Sequence, residues 1–284
     1  MNNSIALLGT KGGPAIRPGS AMPTSCLLNL AGKQIVIDCG LGVTRGLVDQ
    51  GMALTDLELI IITHLHSDHY LELGPLLHTA WMAGLSKRVR IIGPEGLDIY
   101  WEHFYKSMLF DIELRLEDEG RVDLNSLVDI SVLQEGSFLD EDGVKGAAVK
   151  NVHPPIDESY ALRFDAGGKS VFFSGDTAFH PPLAEIARGV DVLVHEAMLG
   201  PAVDALCARI GNADERLKVH LLRAHTLAED VAKLAVMAEA KSLALNHLIP
   251  TDDPDFSDLD WLEAVRVHWH GDLHIGKDGM VIPF

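Results

Sequence analysis

Short apolar runs separated by Gly-rich turns dominate the first third of the chain and predict β-strands. Ser25 to Leu30 and Gln34 to Asp38 flank the turn residues Ala31-Gly32-Lys33, a pattern typical of a β-hairpin. Leu59 to Ile62 is apolar throughout, which indicates a buried strand. Further strands are predicted at Val128 to Leu133, Ala147 to Val152, Tyr160 to Phe164, Ser170 to Ser174, Val190 to His195 and Leu243 to Leu245.

Helical spacing of apolar residues alternates with these strands. Val43 to Gln50, Leu71 to Leu85 and Leu227 to Ala240 each predict a helix, and the last is strongly amphipathic. Pro94 to Phe110 predicts an aromatic-rich helix, whose rings either pack on a core or partner subunit or line a substrate pocket. We therefore predict an α/β architecture of sheets covered by helices, in a single domain spanning residues 1–284.

Composition narrows the class of protein. A length of 284 residues with 47% hydrophobic content allows a sizeable core. Three cysteines are too few and too dispersed for a disulfide framework, and no apolar run approaches the roughly 20 residues that span a bilayer. The first residues lack the apolar run of a secretory signal. These features predict a cytoplasmic protein without a membrane segment.

Charge bears on the kind of partner. Lys and Arg number 23 against 41 Asp and Glu, which gives a formal charge of −18. A surface that holds many phosphates needs a basic patch, so this balance argues against a large nucleic-acid footprint.

A His-rich segment, residues 63–69, directly follows the predicted strand at Leu59 to Ile62. Residues i and i+2 of an extended loop point the same way, so His64 and His66 can hold one metal ion. Asp68 and His69 can turn toward a second ion. Imidazole and carboxylate ligands suit Zn²⁺, and also Mn²⁺ or Fe²⁺. The alternative is a solvated turn, but a turn after a buried strand does not need three His and one Asp.

Three further residues could complete two metal sites. His153, Asp176 and His247 each follow an apolar run, and strand ends are where α/β sheets place their ligands. Each residue alone is more often structural, so their shared placement carries the prediction.

The motif His64-Leu65-His66-Ser67-Asp68-His69, followed in order by His153, Asp176 and His247, resembles the metallo-β-lactamase superfamily. The resemblance implies a metallo-β-lactamase-like αββα sandwich, in which two mixed sheets pack face to face with helices outside and the metals lie at one edge. It assigns one metal to His64, His66 and His153 and the other to Asp68, His69 and His247, with Asp176 and a water or hydroxide between them.

A closer resemblance, to the ribonuclease Z and arylsulfatase branch, covers nearly the whole chain. Leu8 to Gly13 and Ile37 to Gly42 look like the first two turns of that branch. Asp191 to Ala197 is similar to its HEAT segment and Ala224 to Thr226 to its HST segment. The resemblance implies that Glu196 and His225, which lie in these two segments, form a proton-transfer pair beside the metals.

Two features depart from that branch. Met198 stands where the HEAT segment has Thr. Only 22 residues separate His153 from Asp176, an interval in which bacterial ribonuclease Z carries a protruding arm that grips tRNA. The arm is missing from this sequence, which puts tRNA processing in doubt.

We therefore predict a dinuclear metal-dependent hydrolase that cleaves an ester-type bond in a small molecule by metal-bound hydroxide. The bond is an aryl sulfate, lactone, carboxyl ester or phosphodiester, and the metals are most consistent with zinc. The predicted catalytic residues are Asp68, Glu196 and His225, with His225 as proton donor. The alternatives are a ribonuclease Z-like tRNA 3'-processing endonuclease and a metal-holding scaffold without turnover. Many members of this branch pair, so we expect a homodimer.

Overall fold

The computed structural model describes residues 3–210 and 215–284. Its strands are β1 Ser4–Gly9, β2 Ser25–Leu30, β3 Lys33–Ile37, β4 Leu59–Ile61, β5 Val89–Gly93, β6 Val128–Val132, β7 Gly136–Glu141, β8 Val144–Lys150, β9 Tyr160–Ala166, β10 Lys169–Phe173, β11 Val192–Met198, β12 Ser242–Ile249, β13 Asp272–Ile275 and β14 Met280–Pro283. Its α-helices are α1 Val43–Asp49, α2 Ser67–Tyr70, α3 Leu73–Met82, α4 Leu97–Ser107, α5 Leu109–Glu119, α6 Leu183–Ile186, α7 Val203–Ile210, α8 Glu215–Ala224, α9 Ala228–Met237 and α10 Asp258–Arg266.

The strands form two mixed seven-stranded sheets, in the orders β14-β1-β2-β3-β4-β5-β6 and β13-β12-β11-β10-β9-β8-β7. In the first sheet β3 to β6 run parallel, and in the second β10 to β13 do. Helices cover the outer faces, so the predicted αββα sandwich of the metallo-β-lactamase fold is confirmed. No helix in residues 3–210 and 215–284 is long and apolar enough to cross a bilayer.

Three hydrophobic layers hold the sandwich together. Side chains alternate between the faces of a strand, so Ile5 of β1 packs between the sheets while Ala6 packs under the outer helices. In the second sheet Val171 and Phe173 face inward, and Phe172 packs against the helix layer that includes α9. Burial on both faces is why these strands are continuously apolar in sequence.

The predicted helix at Pro94 to Phe110 is wrong in its bounds. It begins at Leu97, after Gly96 with φ 94°, and ends at Ser107, so Phe110 belongs to the next helix, α5. That helix was missed because Phe110, Ile112, Leu114 and Leu116 alternate with polar residues, a spacing that does not favour a helix. The rings of Trp101 and its neighbours pack against the outer core of the first sheet, as the core-packing alternative predicted, and they do not line the pocket described below.

The predicted strand at Leu243 to Leu245 is also too short, because β12 continues to Ile249. Glu196 pairs with Asn246 and Ala197 with Leu248, so His247 is an extra residue in the ladder. His247 therefore forms a β-bulge, and its φ of 43° lies in the left-handed region. The bulge turns a side chain from within a strand toward the site, whereas the sequence predicted a residue after the strand.

Gly40 lies where β3 approaches the His-rich segment. A Cβ at this position would come 2.4 Å from the Asp68 carbonyl oxygen and 2.7 Å from the Thr24 carbonyl oxygen. We expect Gly40→Ala to lower the free energy of unfolding by about 1–3 kcal/mol, because backbone must move to admit the methyl group. Gly200→Ala is the control, since its Cβ would meet only the Leu227 side chain at 3.4 Å. Urea unfolding that gives equal stabilities for the two variants would contradict this close approach.

Candidate metal centre and active-site pocket

Six of the seven predicted ligands lie at or near the carboxyl ends of parallel strands in the two sheets, and His153 follows an antiparallel strand. The segment after β4 supplies four of them, the loop after β10 supplies Asp176, and the bulge of β12 supplies His247. His153 follows β8 and is held by an isolated bridge to Ile156. Residues that are far apart in sequence therefore meet at one edge of the sandwich.

Three imidazoles form the first group. The Nε2 atoms of His64 and His153 lie 3.1 Å and 2.9 Å from Nδ1 of His66. Nδ1 of His153 contacts the Ala224 carbonyl oxygen at 2.9 Å, and Nδ1 of His64 contacts the Thr63 hydroxyl at 3.2 Å. These outer contacts assign the proton to Nδ1 of both rings and leave the two Nε2 lone pairs facing His66.

The second group consists of Asp68, His69 and His247. Asp68 Oδ2 lies 3.6 Å from His69 Nε2 and 3.2 Å from His247 Nε2, and it also accepts a hydrogen bond from Gly13 N–H. Nδ1 of His69 contacts Asp38 Oδ2 at 2.8 Å, which fixes the proton on that nitrogen. Among the described residues no hydrogen bond of standard geometry reaches the opposite nitrogen of His69, which is buried 3.3 Å from Asp176 Oδ2. A cation between these atoms would satisfy it, so the donor set fits a divalent metal.

Asp176 lies between the two groups. Its Oδ2 is 3.0 Å from His247 Nε2, 3.3 Å from His69 Nε2, 3.7 Å from His64 Nε2 and 3.9 Å from His153 Nε2. One carboxylate oxygen of Asp176 thus lies near ring nitrogens of both groups, the position expected of a shared ligand.

Electrostatics favour the metal-binding protonation state at some members of the cluster and oppose it at His69. Burial lowers the pKa of His69, but the carboxylates of Asp176, Asp38 and Asp68 outweigh it and hold that pKa well above its usual value. Burial lowers the pKa of His64 well below its usual value, which favours the neutral imidazole. Burial opposes ionisation of Asp68 and Asp176, but His69 and His247 outweigh it and hold the pKa of both carboxyls below the usual range. Neutral imidazoles and ionised carboxylates are the forms that coordinate metals.

Glu196 and His225 form a buried pair beside this cluster. Nδ1 of His225 lies 3.1 Å and 3.2 Å from the two Glu196 carboxylate oxygens, and Oε1 also accepts a hydrogen bond from Thr177 N–H. Burial disfavours protonation of His225, but the Glu196 carboxylate overcomes this and raises the pKa of His225 to about 9. A ring nitrogen of His225 lies within 4.8 Å of ligand atoms of Asp176 and His247. The pair can therefore hold a proton next to the metal cluster.

A pocket of about 320 Å³ opens above the cluster. His66, Asp68, Asp176, His225 and His247 form its floor. Apolar side chains of α7 and α8 form its roof: Leu206, Ile210, Leu217 and Leu221. The segment from Lys11 to Arg17 forms one side.

Sequence reasoning missed the roof and the two cations of the side wall. The signal for the roof in the sequence was the spacing of four residues within two pairs of apolar residues, Leu206 with Ile210 and Leu217 with Leu221. His220 of α8 lines the pocket with its ring centroid 6.2 Å from that of His66, whereas His180 is not among the lining residues described.

Comparison with known proteins agrees with this geometry. A family model described as "Anti-Pycsar protein Apyc1" matches residues 4–232. Ribonuclease Z of Mycobacterium bovis (strain BCG / Pasteur 1173P2) is 28% identical over 277 residues, which cover 96% of this chain and 95% of that protein. The metallo-β-lactamase fold protein YhfI from Bacillus subtilis superposes with a TM-score of 0.72 at 18% identity, with 99% of each chain covered. Human tRNase Z, short form, superposes with a TM-score of 0.68 at 20% identity, with 98% of each chain covered.

The family match spans most of the chain, and the relatives share its fold and length. The chain therefore belongs to the anti-Pycsar protein Apyc1 family, within the ribonuclease Z-like branch of the metallo-β-lactamase superfamily of hydrolases.

Proposed function

We propose that this protein is a two-metal phosphodiesterase that acts on a small substrate. The observation that carries the proposal is the seven-ligand cluster on the floor of a pocket of about 320 Å³, with an ionisable pair beside it and an apolar roof above. A volume near 300 Å³ is at the small end of ligand pockets.

The proposal assigns one divalent ion to His64, His66 and His153 and the other to Asp68, His69 and His247, with Asp176 shared. Two such ions lower the pKa of a bound water and offset negative charge at the reacting phosphorus. Zinc is the preferred metal because the donors are imidazole nitrogens and carboxylate oxygens.

The chain's own residues supply the remaining chemistry. Asp68, held by the Gly13 N–H, orients the second group of ligands at the pocket floor. His225 donates a proton to the leaving oxygen, and Glu196 fixes its tautomer through Nδ1. Thr177 directly follows Asp176 and donates its N–H to Glu196. One short loop therefore positions both the shared ligand and the carboxylate that pairs with the proton donor.

A phosphodiester is favoured over the other ester classes for two reasons. Several relatives are named ribonuclease Z, and a ribonuclease cleaves phosphodiester bonds. Lys11 on the pocket side also suits an anionic group better than a neutral ester. A cavity of this size favours a small phosphodiester, and one built from a single nucleoside and a single phosphate, with no second alcohol, is cyclic. We therefore infer a nucleoside cyclic monophosphate or a phosphodiester of similar size as the substrate class.

A tRNA 3'-processing endonuclease is the second candidate, favoured by the ribonuclease Z relatives. The structure has only two short strands, β9 and β10, between His153 and Asp176, so no arm is present in that interval. That difference does not separate the two functions, because the mycobacterial ribonuclease Z aligns over 95% of its own length with a chain of this size.

The full ligand set and the Glu196–His225 pair argue against an inactive scaffold. The homodimer and the cytoplasmic location stay predictions, and sedimentation velocity tests the first.

The first prediction concerns metal content. Protein purified without chelator should contain close to two divalent ions per chain by elemental analysis, because the cluster offers seven ligands. Asp176→Ala should lose metal and activity together, since it removes the carboxylate between the two groups. His268→Ala, which alters an exposed His outside the cluster, should retain both ions. Metal content near zero after reconstitution would refute the proposed centre.

The second prediction separates the candidate substrates. Nucleoside cyclic monophosphates and bis(p-nitrophenyl) phosphate should be hydrolysed at higher kcat/KM than p-nitrophenyl sulfate or p-nitrophenyl acetate. Precursor tRNA should be cleaved weakly or not at all under the same conditions. Efficient trimming of precursor tRNA at enzyme levels well below substrate would instead support the endonuclease.

The third prediction separates proton transfer from metal binding. His225→Ala should keep both ions and the fold, because His225 is outside the seven proposed ligands. Loss of a positioned acid should cost roughly 10²- to 10⁴-fold in rate with a basic, poor leaving group. A p-nitrophenyl leaving group departs without a proton and should show a much smaller effect. Equal activity of variant and parent on both substrates would show that His225 is structural and would make His220 the next candidate.

A further inference from the structure

Lys11 is a buried cation whose environment differs from that of the other cations around the pocket. The residue is only 3% exposed, and it lines the pocket near the metal cluster. Its Nζ donates one hydrogen bond, to the Gly12 carbonyl oxygen at 3.1 Å. Within residues 3–210 and 215–284, no carboxylate oxygen lies within ion-pair distance of this Nζ. Two of its three N–H donors are therefore available to a ligand.

The neighbouring cations are already neutralised. Arg17 Nη1 lies 3.3 Å from Asp252 Oδ2, and Arg209 Nη2 lies 3.6 Å from Asp252 Oδ1 and 3.4 Å from Asp253 Oδ2. Asp252 and Asp253 thus pair directly with the two arginines, whereas Asp252 and Asp68 act on Lys11 only from beyond ion-pair distance.

The backbone holds Lys11 in place beside the metal ligands. Its N–H donates to the Met22 carbonyl oxygen, and isolated bridges join it to Pro23 in one direction and Leu248 in the other. The next residue, Gly12, packs against the His247 ring, since a Cβ there would come 2.9 Å from its Cε1 atom. The Gly12 carbonyl that Nζ contacts therefore belongs to the residue packed on a proposed ligand.

Burial of an unpaired ammonium is costly unless a counter-charge arrives. Burial lowers the pKa of Lys11, and an anion in contact would oppose that effect. Because a neutral lactone or carboxyl ester brings no charge, only an anionic ester compensates the buried cation.

We propose that the Lys11 ammonium binds a non-bridging oxygen of the substrate's phosphoryl group and makes the pocket selective for anionic over neutral esters. This inference rests on the proposed phosphodiesterase function and names a specificity-determining residue within it. The hydrogen bond to the Gly12 carbonyl orients the ammonium, and the apolar roof limits the access of water to the contact between ammonium and phosphoryl oxygen.

The test compares two substrates with the same leaving group, bis(p-nitrophenyl) phosphate and p-nitrophenyl acetate, on the metal-loaded full chain. Lys11→Met keeps the apolar stem and removes the charge. It should lower kcat/KM for the phosphodiester about 10- to 100-fold, mainly through KM, and change that for the acetate by less than about twofold. Lys11→Arg should recover part of the loss. Lys87→Met, which removes an exposed charge before β5 at the opposite end of the parallel strands, is the matched control.

Titration with inorganic phosphate gives a readout that does not depend on turnover. Calorimetry of the metal-loaded proteins should show about a tenfold or greater rise in Kd for Lys11→Met and little change for Lys87→Met. If the parent cleaves no phosphodiester but phosphate binding depends on Lys11, the anion subsite stands and the proposed function fails.

Two results would overturn the role of Lys11 and leave the phosphodiesterase intact. The first is a parent that cleaves the phosphodiester and a Lys11→Met variant with unchanged KM and phosphate affinity. The second is an equal loss on both substrates together with lower metal content, which would identify Lys11 as a structural residue. Lys11→Gln replaces Lys11→Met in all measurements if the methionine variant does not fold.

Discussion

The buried ring nitrogens and carboxylate oxygens gathered at one edge of the sandwich are the constraint on which the rest of this structure depends. Outer hydrogen bonds fix the proton of His69 on the nitrogen facing Asp38, and among the described residues no hydrogen bond of standard geometry reaches the inner nitrogen. The same logic applies to His64 and His153. Without a cation, bringing these atoms together is unfavourable, so metal affinity and the stability of this edge of the sandwich are two aspects of one free energy.

Both sheets contribute residues to the metal cluster. Parallel strands of one sheet deliver the His-rich segment, and parallel strands of the other deliver Asp176, Glu196 and His247. Because both sets arrive at the carboxyl ends of their strands, the site lies where loops can vary without disturbing the inner core. Thr177 then connects the shared ligand to the proton-transfer pair through a single backbone N–H.

Much of the fold and of the site could be predicted from the sequence, because the signals are local. The run from Leu59 to Ile62 followed by the His-rich segment indicates both a buried strand and its chemistry, and the hairpin at Ala31-Gly32-Lys33 is equally local. The bulge at His247 could not be predicted, since it arises from the pairing of β12 with β11 rather than from the residues of β12. Helix α5 was missed because its apolar residues alternate with polar ones, and Lys11 was missed because an isolated Lys in a Gly-rich loop resembles any solvated residue.

The roof and the floor of the pocket are built from separate parts of the chain. The floor consists of strand ends and the short loops attached to them, whereas the roof is a helical pair, α7 and α8, inserted between β11 and α9. Substitutions in Leu206 or Leu217 reshape the space offered to a ligand without touching any group that holds a metal. The metal-binding edge and the shape of the ligand space therefore depend on different segments of the chain, so that the chemistry and the selection of a ligand are open to separate change.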